Sequence, residues 1–301
     1  MTEKGKKDEL AALTQEMIKN AEGRSKADLN THKATISNDK VSEYTGKPKY
    51  FDIFGRLLHY LAEENYDAII TELTNLYFDD LLPMTDYDMY CTTPYSDEVS
   101  RTYGLPYRIN ASFIRTKFLT YIACQKPKEK YCQHFIRFAN DASDIIVCLC
   151  NRQDDYFTSS ASSSTTADIL RNNPGLATKD GHQDADKDGS VYVIEDMNNT
   201  RRIKFLKWED FDVPHRKDFT RFYDAYLSMN KSDKPVIVHC KAGVGRTGTF
   251  ILYDTLARME NVTNEIFIDE LCKMREQRNF MVFNGKQLKW LADIFLEKTD
   301  K

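Results

Sequence analysis

A cysteine and an arginine six positions apart form the most reactive pair in this sequence. Cys240 and Arg246 enclose five residues, two of which are Gly243 and Gly245. Glycines let successive backbone N–H groups converge on one point, so this loop (residues 240–246, the cysteine loop) is suited to binding phosphate or another tetrahedral oxyanion. The guanidinium of Arg246 would hold two of the anion's oxygens. A cysteine beneath such a positive cradle is favoured as the thiolate, which is a nucleophile for phosphoryl transfer.

The residues on either side of the cysteine loop predict how it is held. Residues 236–238 are all apolar, as expected for a strand that is buried on both faces of a sheet. Residues 247–256 carry apolar side chains at helical spacing, so the loop lies at a helix N-terminus, which favours anions. The alternative is a structural cysteine followed by an ordinary glycine turn. His239, the two glycines and Thr247 in this strand-to-helix context weigh against that alternative.

The run HCKAGVGRTG resembles the signature loop of the protein tyrosine phosphatase superfamily. In that family the cysteine attacks phosphorus, the arginine holds the transferred group, and the hydroxyl after the arginine eases departure of the thiolate. The resemblance implies these roles for Cys240, Arg246 and Thr247. It also implies that the residues between them bind substrate: Lys241, Ala242, Gly243, Val244 and Gly245. This chemistry needs no metal or organic cofactor.

Residues 207–214, the acid loop, read KWEDFDVP and align without gaps on the family's mobile loop W-P-D-x-G-V-P. The resemblance implies that Asp210 is the general acid, and that Trp208 anchors the loop and belongs to the substrate-binding set. Glu209 replaces the family's proline and Asp212 its glycine. Loss of the proline removes a restraint on φ and adds a charge beside the acid, which affects loop closure and the pH optimum. A plain acidic turn is the alternative.

Residues 277–295 resemble the family pattern QR-x2-MVQT-x2-QY. Phe283 replaces the glutamine of MVQT, which in the family positions the hydrolytic water. The glutamine of the final QY is kept as Gln287. The resemblance implies either that Gln287 positions this water or that dephosphorylation of the cysteine is slow. His239 is expected to order the cysteine loop by hydrogen bonding.

The family's tyrosine-specific branch has a loop whose aromatic ring stacks on the substrate's phenol, and residues 74–88 match its pattern in two registers. Counting from Asn75 assigns the stacking ring to Tyr77, whereas counting back from Pro83 assigns it to Phe78. Stacking needs only a π face, so both residues are candidates. The alternative is a core aromatic pair.

Residues 107–127 alternate apolar and polar side chains over two segments, which predicts a hairpin in a partly exposed sheet. They resemble the family's YINAS-x-I and YIATQGP segments and favour a divergent member of the tyrosine-specific branch. Arg108, Cys124 and Lys126 depart from those segments. The expected fold is α/β, a highly twisted mixed β-sheet flanked by helices, with the cysteine loop at the carboxyl end of a central strand.

Apolar periodicity places the other elements. Residues 51–70 have the period of a packed helix, and residues 145–149 read as a buried strand. Two further strands are expected at 191–194 and 202–206, and further helices at 128–139, 219–229 and 265–278.

Composition predicts one large domain with an extension and an insertion. Residues 1–45 are polar and are expected to be an N-terminal extension, partly disordered or helical. Residues 46–301 are expected to form the catalytic domain. A mobile insertion is expected at about 151–190, where Ser, Thr, Asp and Gly dominate.

The insertion ends in DADKDGSVYVIE, which matches the calcium-loop pattern D-x-[DN]-x-[DN]-G-x5-E. Asp184, Asp186 and Asp188 occupy positions 1, 3 and 5, Gly189 position 6 and Glu195 position 12. A calcium site is one interpretation of this match. The alternative, a solvated acidic loop that enters a hairpin, is favoured because residues 191–194 also read as a strand.

Charge and cysteine usage bound the class of protein. A net charge of −4 argues against a general nucleic-acid binder, and no apolar run has the length of a signal peptide or a membrane span. The seven cysteines lack finger-like spacing, and Cys148 and Cys150 lie in the apolar run IIVCLC. Reduced thiols in a cytoplasmic protein fit this pattern. The sequence divergence is compatible with a microbial or viral protein that acts inside a host cell, and the oligomeric state is not indicated.

The expected function is hydrolysis of phosphotyrosine in proteins through a cysteinyl-phosphate intermediate. A dual-specificity or phosphoinositide phosphatase is the first alternative, because those branches place a basic residue such as Lys241 beside the cysteine. A weakly active phosphotyrosine-binding module is the second alternative, which Glu209 and Phe283 motivate.

Overall fold

Six β-strands within the described residues form one mixed sheet. The computed structural model describes residues 48–77, 84–90, 96–151, 190–197 and 199–296. The strands are β1 (Ala111–Arg115), β2 (Thr120–Gln125), β3 (Ile145–Cys148), β4 (Tyr192–Met197), β5 (Thr200–Phe205) and β6 (Val236–Cys240). Their order across the sheet is β1-β2-β6-β3-β5-β4.

The strand β6, which leads into the cysteine loop, lies in the interior of this sheet. It pairs in parallel with β2 on one side and with β3 on the other, and β3 continues in parallel to β5. The two edges are antiparallel pairs, β1 with β2 and β4 with β5. All five residues of β6 are buried, as expected for a strand that is covered on both faces. The expected α/β fold with a mixed sheet is therefore confirmed.

Helices cover both faces of the sheet. Alternate residues of a strand point to opposite faces, and accordingly Val147 and Val238 join one apolar cluster whereas Ile146 and Ile237 join another. The helices are α1 (Phe54–Ala62), α2 (Tyr66–Leu76), α3 (Ser96–Thr102), α4 (Cys132–Ala142), α5 (Arg216–Met229), α6 (Gly245–Ala257), α7 (Asn264–Gln277) and α8 (Gly285–Phe295). Two short 3-10 segments, Lys49–Ile53 and Glu129–Tyr131, precede α1 and α4.

The single helix expected over residues 51–70 is wrong. The chain leaves the helical path after α1, where Glu64 has a φ of 55°, and it begins again at α2. The side chain of Asn65 accepts a hydrogen bond from the Ala68 N–H at 3.2 Å and caps the new helix. The apolar period continues across this break, because α1 and α2 both pack against the same cluster, so periodicity alone could not locate it.

The hairpin of β1 and β2 is confirmed, but the expectation that it lies in a partly exposed part of the sheet is wrong. The first four residues of β1 and the last five of β2 are buried. Its polar residues are buried because they have internal partners, as Ser112 shows by accepting a hydrogen bond from Arg278 at 3.1 Å.

Within the described residues, no helix combines the length and apolar character that crossing a bilayer requires. Several expectations concern residues outside the described ranges: the extension at residues 1–45, residues 152–189 of the insertion, and Phe78, Asp184, Asp186 and Asp188.

Candidate active site

The cysteine loop begins where β6 ends. Cys240 is the last residue of β6 and is only 2% exposed, and α6 begins at Gly245. Gly243 has a φ of 71°, and a Cβ there would lie 2.1 Å from the carbonyl oxygen of Cys124 in β2. No other residue type fits this position without moving the backbone. The Lys126 N–H, one residue beyond β2, donates to the Lys241 carbonyl at 2.9 Å and so fixes the start of the loop.

A buried arginine, Arg278, holds the other side of the cysteine loop. No role was expected for this residue from the sequence alone. Arg278 donates from Nε to the Gly243 carbonyl at 2.8 Å and from Nη2 to the Ala242 carbonyl at 3.2 Å. In a trans peptide the N–H points away from the carbonyl, so the N–H groups of Gly243 and Val244 point away from Arg278. Burial lowers the pKa of Arg278 to about 10, which leaves it charged at neutral pH.

The guanidinium of Arg278 is itself held by Ser112 of β1 and by Asn110, which directly precedes β1. Its Nη1 donates to Ser112 Oγ at 3.1 Å, and its Nη2 donates to Asn110 Oδ1 at 2.8 Å. The only sequence signal for this role was its place in the QR pair that opens the closing segment. The polar residues it binds lie more than 160 positions earlier in the chain.

The Arg246 guanidinium reaches the acid loop from the first turn of α6. Nη1 donates to the Trp208 carbonyl at 2.9 Å, and Nη2 donates to Asp210 Oδ1 at 3.0 Å. Arg246 is buried, whereas the Asp210 side chain keeps 31% of its surface exposed. Lys241 Nζ lies 3.8 Å from Asp210 Oδ2. The structure therefore brings the predicted nucleophile loop and the predicted acid to one place.

Trp208 anchors the acid loop and is not a substrate-binding surface. Its side chain is fully buried, and its ring packs edge-to-face on Phe205 and Phe219 with centroids 6.1 and 5.8 Å away. Its Nε1 donates to the Asp212 carbonyl at 2.7 Å and so ties the two ends of the loop. The expectation of an anchoring indole agrees with this geometry, but its inclusion among substrate contacts is wrong because a buried ring meets no ligand.

The start of α8 supplies further contacts to the acid loop that the sequence did not reveal. Lys286 Nζ forms an ion pair with Asp212 Oδ1. Asn284 Nδ2 donates to the carbonyl of Phe211 at 3.0 Å, and Phe211 has a φ of 61°. Asp212 Oδ1 also accepts from the Val213 N–H at 2.6 Å. Asp212 stands where the family has glycine, and these contacts stabilise the conformation of the acid loop.

Phe283 and Gln287 lie where the cysteine loop, the acid loop and α8 meet. The Phe283 N–H donates to Gln287 Oε1 at 3.0 Å, and Gln287 Nε2 is 3.5 Å from the Asp212 carbonyl. The Phe283 ring contacts the Phe211 ring edge-to-face at 5.7 Å. Gln287 also borders the cysteine loop, since a Cβ on Gly245 would lie 3.2 Å from its amide. The water-positioning role of Gln287 stays a prediction.

Tyr77 is wrong as the ring that stacks on substrate. It is 3% exposed and belongs to the main apolar cluster, and its carbonyl accepts from Asn279 Nδ2 at 3.0 Å. The register that assigned Tyr77 placed a core residue at the site. The other register names Phe78, which is outside the described part of the chain.

Two more expected residues have defined surroundings. Thr247 is fully buried in the first turn of α6, and within the described residues its Oγ1 has no hydrogen-bond partner. Glu195, the proposed twelfth position of a calcium loop, lies in β4 opposite Arg202 of β5 and accepts from Arg202 Nε at 2.6 Å. Arg202 is hydrogen-bonded to the carboxylate that a calcium ion would need as a ligand, and this weighs against the calcium site.

Parts of this chain are similar to known proteins. A family model described as protein-tyrosine phosphatase matches residues 96–297. Tyrosine-protein phosphatase non-receptor type 20 of Homo sapiens is 35% identical over 111 residues, 35% of this chain and 26% of that protein. Tyrosine-protein phosphatase non-receptor type 13 of Mus musculus is 28% identical over 207 residues, 62% of this chain and 8% of that protein.

A solved structure of a protein tyrosine phosphatase from Trypanosoma cruzi aligns with 80% of this chain and 89% of that chain, at 18% identity and a TM-score of 0.49. The match spans about a quarter of the human relative and 8% of the mouse relative.

Proposed function

The chain belongs to the protein-tyrosine phosphatase family, and from this premise we propose that it hydrolyses phosphotyrosine in proteins. The observation that carries the proposal is the double hydrogen bond from Arg246 to the acid loop, since it unites an anion-binding loop, a cysteine and a carboxylic acid. We assign the catalytic domain to residues 46–301, and the partners are phosphotyrosine-containing proteins.

Binding of the phosphate rests on the cysteine loop. The N–H groups of Gly243 and Val244 point away from Arg278, and α6 begins at Gly245, so the loop offers both peptide donors and a helix N-terminus. Arg246 supplies a planar pair of donors for two equatorial oxygens. The phosphate would replace Asp210 as the partner of Nη2, which frees the carboxylate to face the leaving oxygen.

Phosphoryl transfer then uses Cys240 and Asp210. The thiolate sulfur forms a bond to phosphorus as the bond between phosphorus and the tyrosine oxygen breaks, and Asp210 transfers its proton to that oxygen. In the second step Asp210 takes a proton from water, the water oxygen bonds to phosphorus, and the thiolate leaves. The buried hydroxyl of Thr247 supports departure of the thiolate by donating a hydrogen bond to it.

The position of Lys241 supports a second candidate function, the hydrolysis of phosphoinositides. Its ammonium lies at the rim of the cysteine loop, 25% exposed and 3.8 Å from Asp210, where it would attract a second phosphate on the same substrate. Phosphoinositides carry such a second phosphate. The dual-specificity or phosphoinositide alternative therefore remains the competitor. The binding module is ranked third because the sequence keeps both Cys240 and Asp210.

The deciding experiment compares substrates at fixed enzyme concentration. The full chain is assayed for phosphate release from phosphotyrosine peptides, phosphoserine peptides and soluble phosphoinositides, with Cys240→Ser as the inactive control. We expect kcat/KM to be highest for phosphotyrosine peptides. A higher value for phosphoinositides would establish the second candidate, and phosphopeptide binding without turnover would establish the third.

A further inference from the structure

Three side chains that the proposed reaction does not use lie together at the carboxyl ends of β3 and β6. Cys148 pairs in register with His239 across these parallel strands. Cys150 lies two residues beyond Cys148, so in an extended chain its side chain returns to the same face of the sheet. We call these three residues the thiol–imidazole cluster.

The thiol–imidazole cluster is buried and compact. All three residues are fully buried, and one ligand atom from each lies within 4.8 Å of the other two. Cys150 Sγ is 4.0 Å from His239 Nδ1, and the ring of Phe135 packs edge-to-face on the imidazole at 5.9 Å. Both cysteines are free thiols.

Two thiolates and an imidazole are the donor set that zinc prefers among the common divalent metals. In a tetrahedral site the Zn–S and Zn–N bonds of about 2.3 and 2.0 Å place ligand atoms roughly 3.5–3.8 Å apart. The cluster needs only a small contraction to reach that spacing. Two thiolates also neutralise the 2+ charge, and this matters because an uncompensated ion is costly to bury.

We propose that Cys148, Cys150 and His239 bind a zinc ion beneath the cysteine loop. Three protein ligands leave the fourth position of the metal for water or an added thiol. The site is separate from the nucleophile, because His239 and Cys240 are consecutive strand residues and face opposite sides of the sheet. Cys240 accordingly belongs to the apolar cluster on one face, whereas Cys148 and Cys150 belong to the cluster on the other.

The test measures metal directly on the full chain, purified with a phosphine reductant and without chelators. Because the site is buried, one sample is expressed in zinc-supplemented medium and another is incubated with Zn2+ after purification. Elemental analysis should find about one zinc per chain in at least one sample. Replacement by Co2+ should produce thiolate-to-metal charge-transfer absorption, which carboxylate or surface histidine sites do not produce.

Matched alanine variants locate the metal. Cys148→Ala and Cys150→Ala should each weaken zinc binding by at least about 100-fold, as measured by competition with a chromophoric chelator. Cys272→Ala, which changes an equally buried cysteine of α7, and Cys240→Ala should both retain it. Zinc that is lost in Cys240→Ala and kept in Cys148→Ala would place the metal at the nucleophile and overturn the proposal. Absence of zinc from both wild-type samples would overturn it as well.

Circular dichroism checks that each variant is folded. If both cluster variants fail to fold, zinc-edge X-ray absorption of wild-type protein decides, since two sulfur ligands and one imidazole are expected. A metal environment with fewer than two sulfur ligands would exclude the cluster.

Discussion

Arg246 Nη2 donates to Asp210 Oδ1 at 3.0 Å, so the proposed anion-binding guanidinium and the proposed general acid hold each other. The contact joins the first turn of α6 to the acid loop. It shows that the acid loop can reach the cysteine loop even though Glu209 replaces the proline of the family pattern. The same contact makes the acid and the phosphate competitors for one donor.

Removing the nucleophile should separate binding from turnover. Cys240→Ser should abolish phosphate release yet retain phosphopeptide binding, because Arg246 and the N–H groups of the loop remain. Fluorescence anisotropy measures the binding and a phosphate assay the turnover. Retained turnover in the serine variant would end the thiolate mechanism.

Removing the acid should lower kcat and alter its pH dependence. Asp210→Asn cannot donate the proton to the leaving phenolate, so kcat on phosphotyrosine should fall about 10²–10⁴-fold and the basic limb of the pH profile should flatten. Glu209→Gln changes the neighbouring carboxylate and serves as the control, with a smaller effect. A larger loss from Asp212→Asn than from Asp210→Asn would show that the acid was assigned to the wrong residue.

Gly243 should be irreplaceable for a steric reason. Gly243→Ala places a Cβ 2.1 Å from the Cys124 carbonyl at a φ of 71°, so the cysteine loop must move and kcat/KM should fall at least about 100-fold. Gly104 is the matched control: its φ is 59°, but nothing lies within 4 Å of a Cβ there. Gly104→Ala should cost only about 1–2 kcal/mol of stability and no activity. Equal activity losses in the two variants would contradict this explanation.

Phe283 should make hydrolysis of the cysteinyl phosphate the slow step. A phenyl ring cannot orient water, and the Gln287 amide is already engaged by the Phe283 N–H and faces the Asp212 carbonyl. Rapid mixing with p-nitrophenyl phosphate should reveal a burst of product before a slower steady state, and Phe283→Gln should reduce the burst and raise the steady rate. Phe51→Gln, at a phenylalanine that is 57% exposed, is the control. A wild-type reaction without a burst would show that hydrolysis of the cysteinyl phosphate is not the slow step.

Lys286 should stabilise the position of the acid loop through Asp212. The pair is exposed, with side chains 59% and 45% accessible, so its contribution is at most about 1 kcal/mol and salt should weaken it. Lys286→Ala should lower kcat up to about fivefold at low salt and little at high salt. Lys289→Ala removes a comparable pair with Asp293 on the same helix, away from the acid loop. An effect of equal size in Lys289→Ala would mean that helix stability, and not the acid loop, is responsible.

The sequence by itself determined the parts of the molecule that depend on neighbours in the chain. Cys240 and Arg246 begin and end one short loop, because only five residues, two of them glycines, lie between them. A strand precedes this loop and a helix follows it. The strands were recognisable because burial imposes an apolar run or an alternating pattern, and the order of acid loop, helix and cysteine loop could be read directly.

Only the tertiary structure decided which distant segments meet. Arg278 supports the Gly243 carbonyl from 35 positions away, and Lys286 and Asn284 reach the acid loop from more than 70. Tyr77 was misassigned because a buried ring and a ring that lines a site look alike in sequence. Cys148 and His239 became neighbours through strand register, which depends on the packing of the whole sheet. Such contacts leave no local period or spacing, because the chain between the partners does not constrain them.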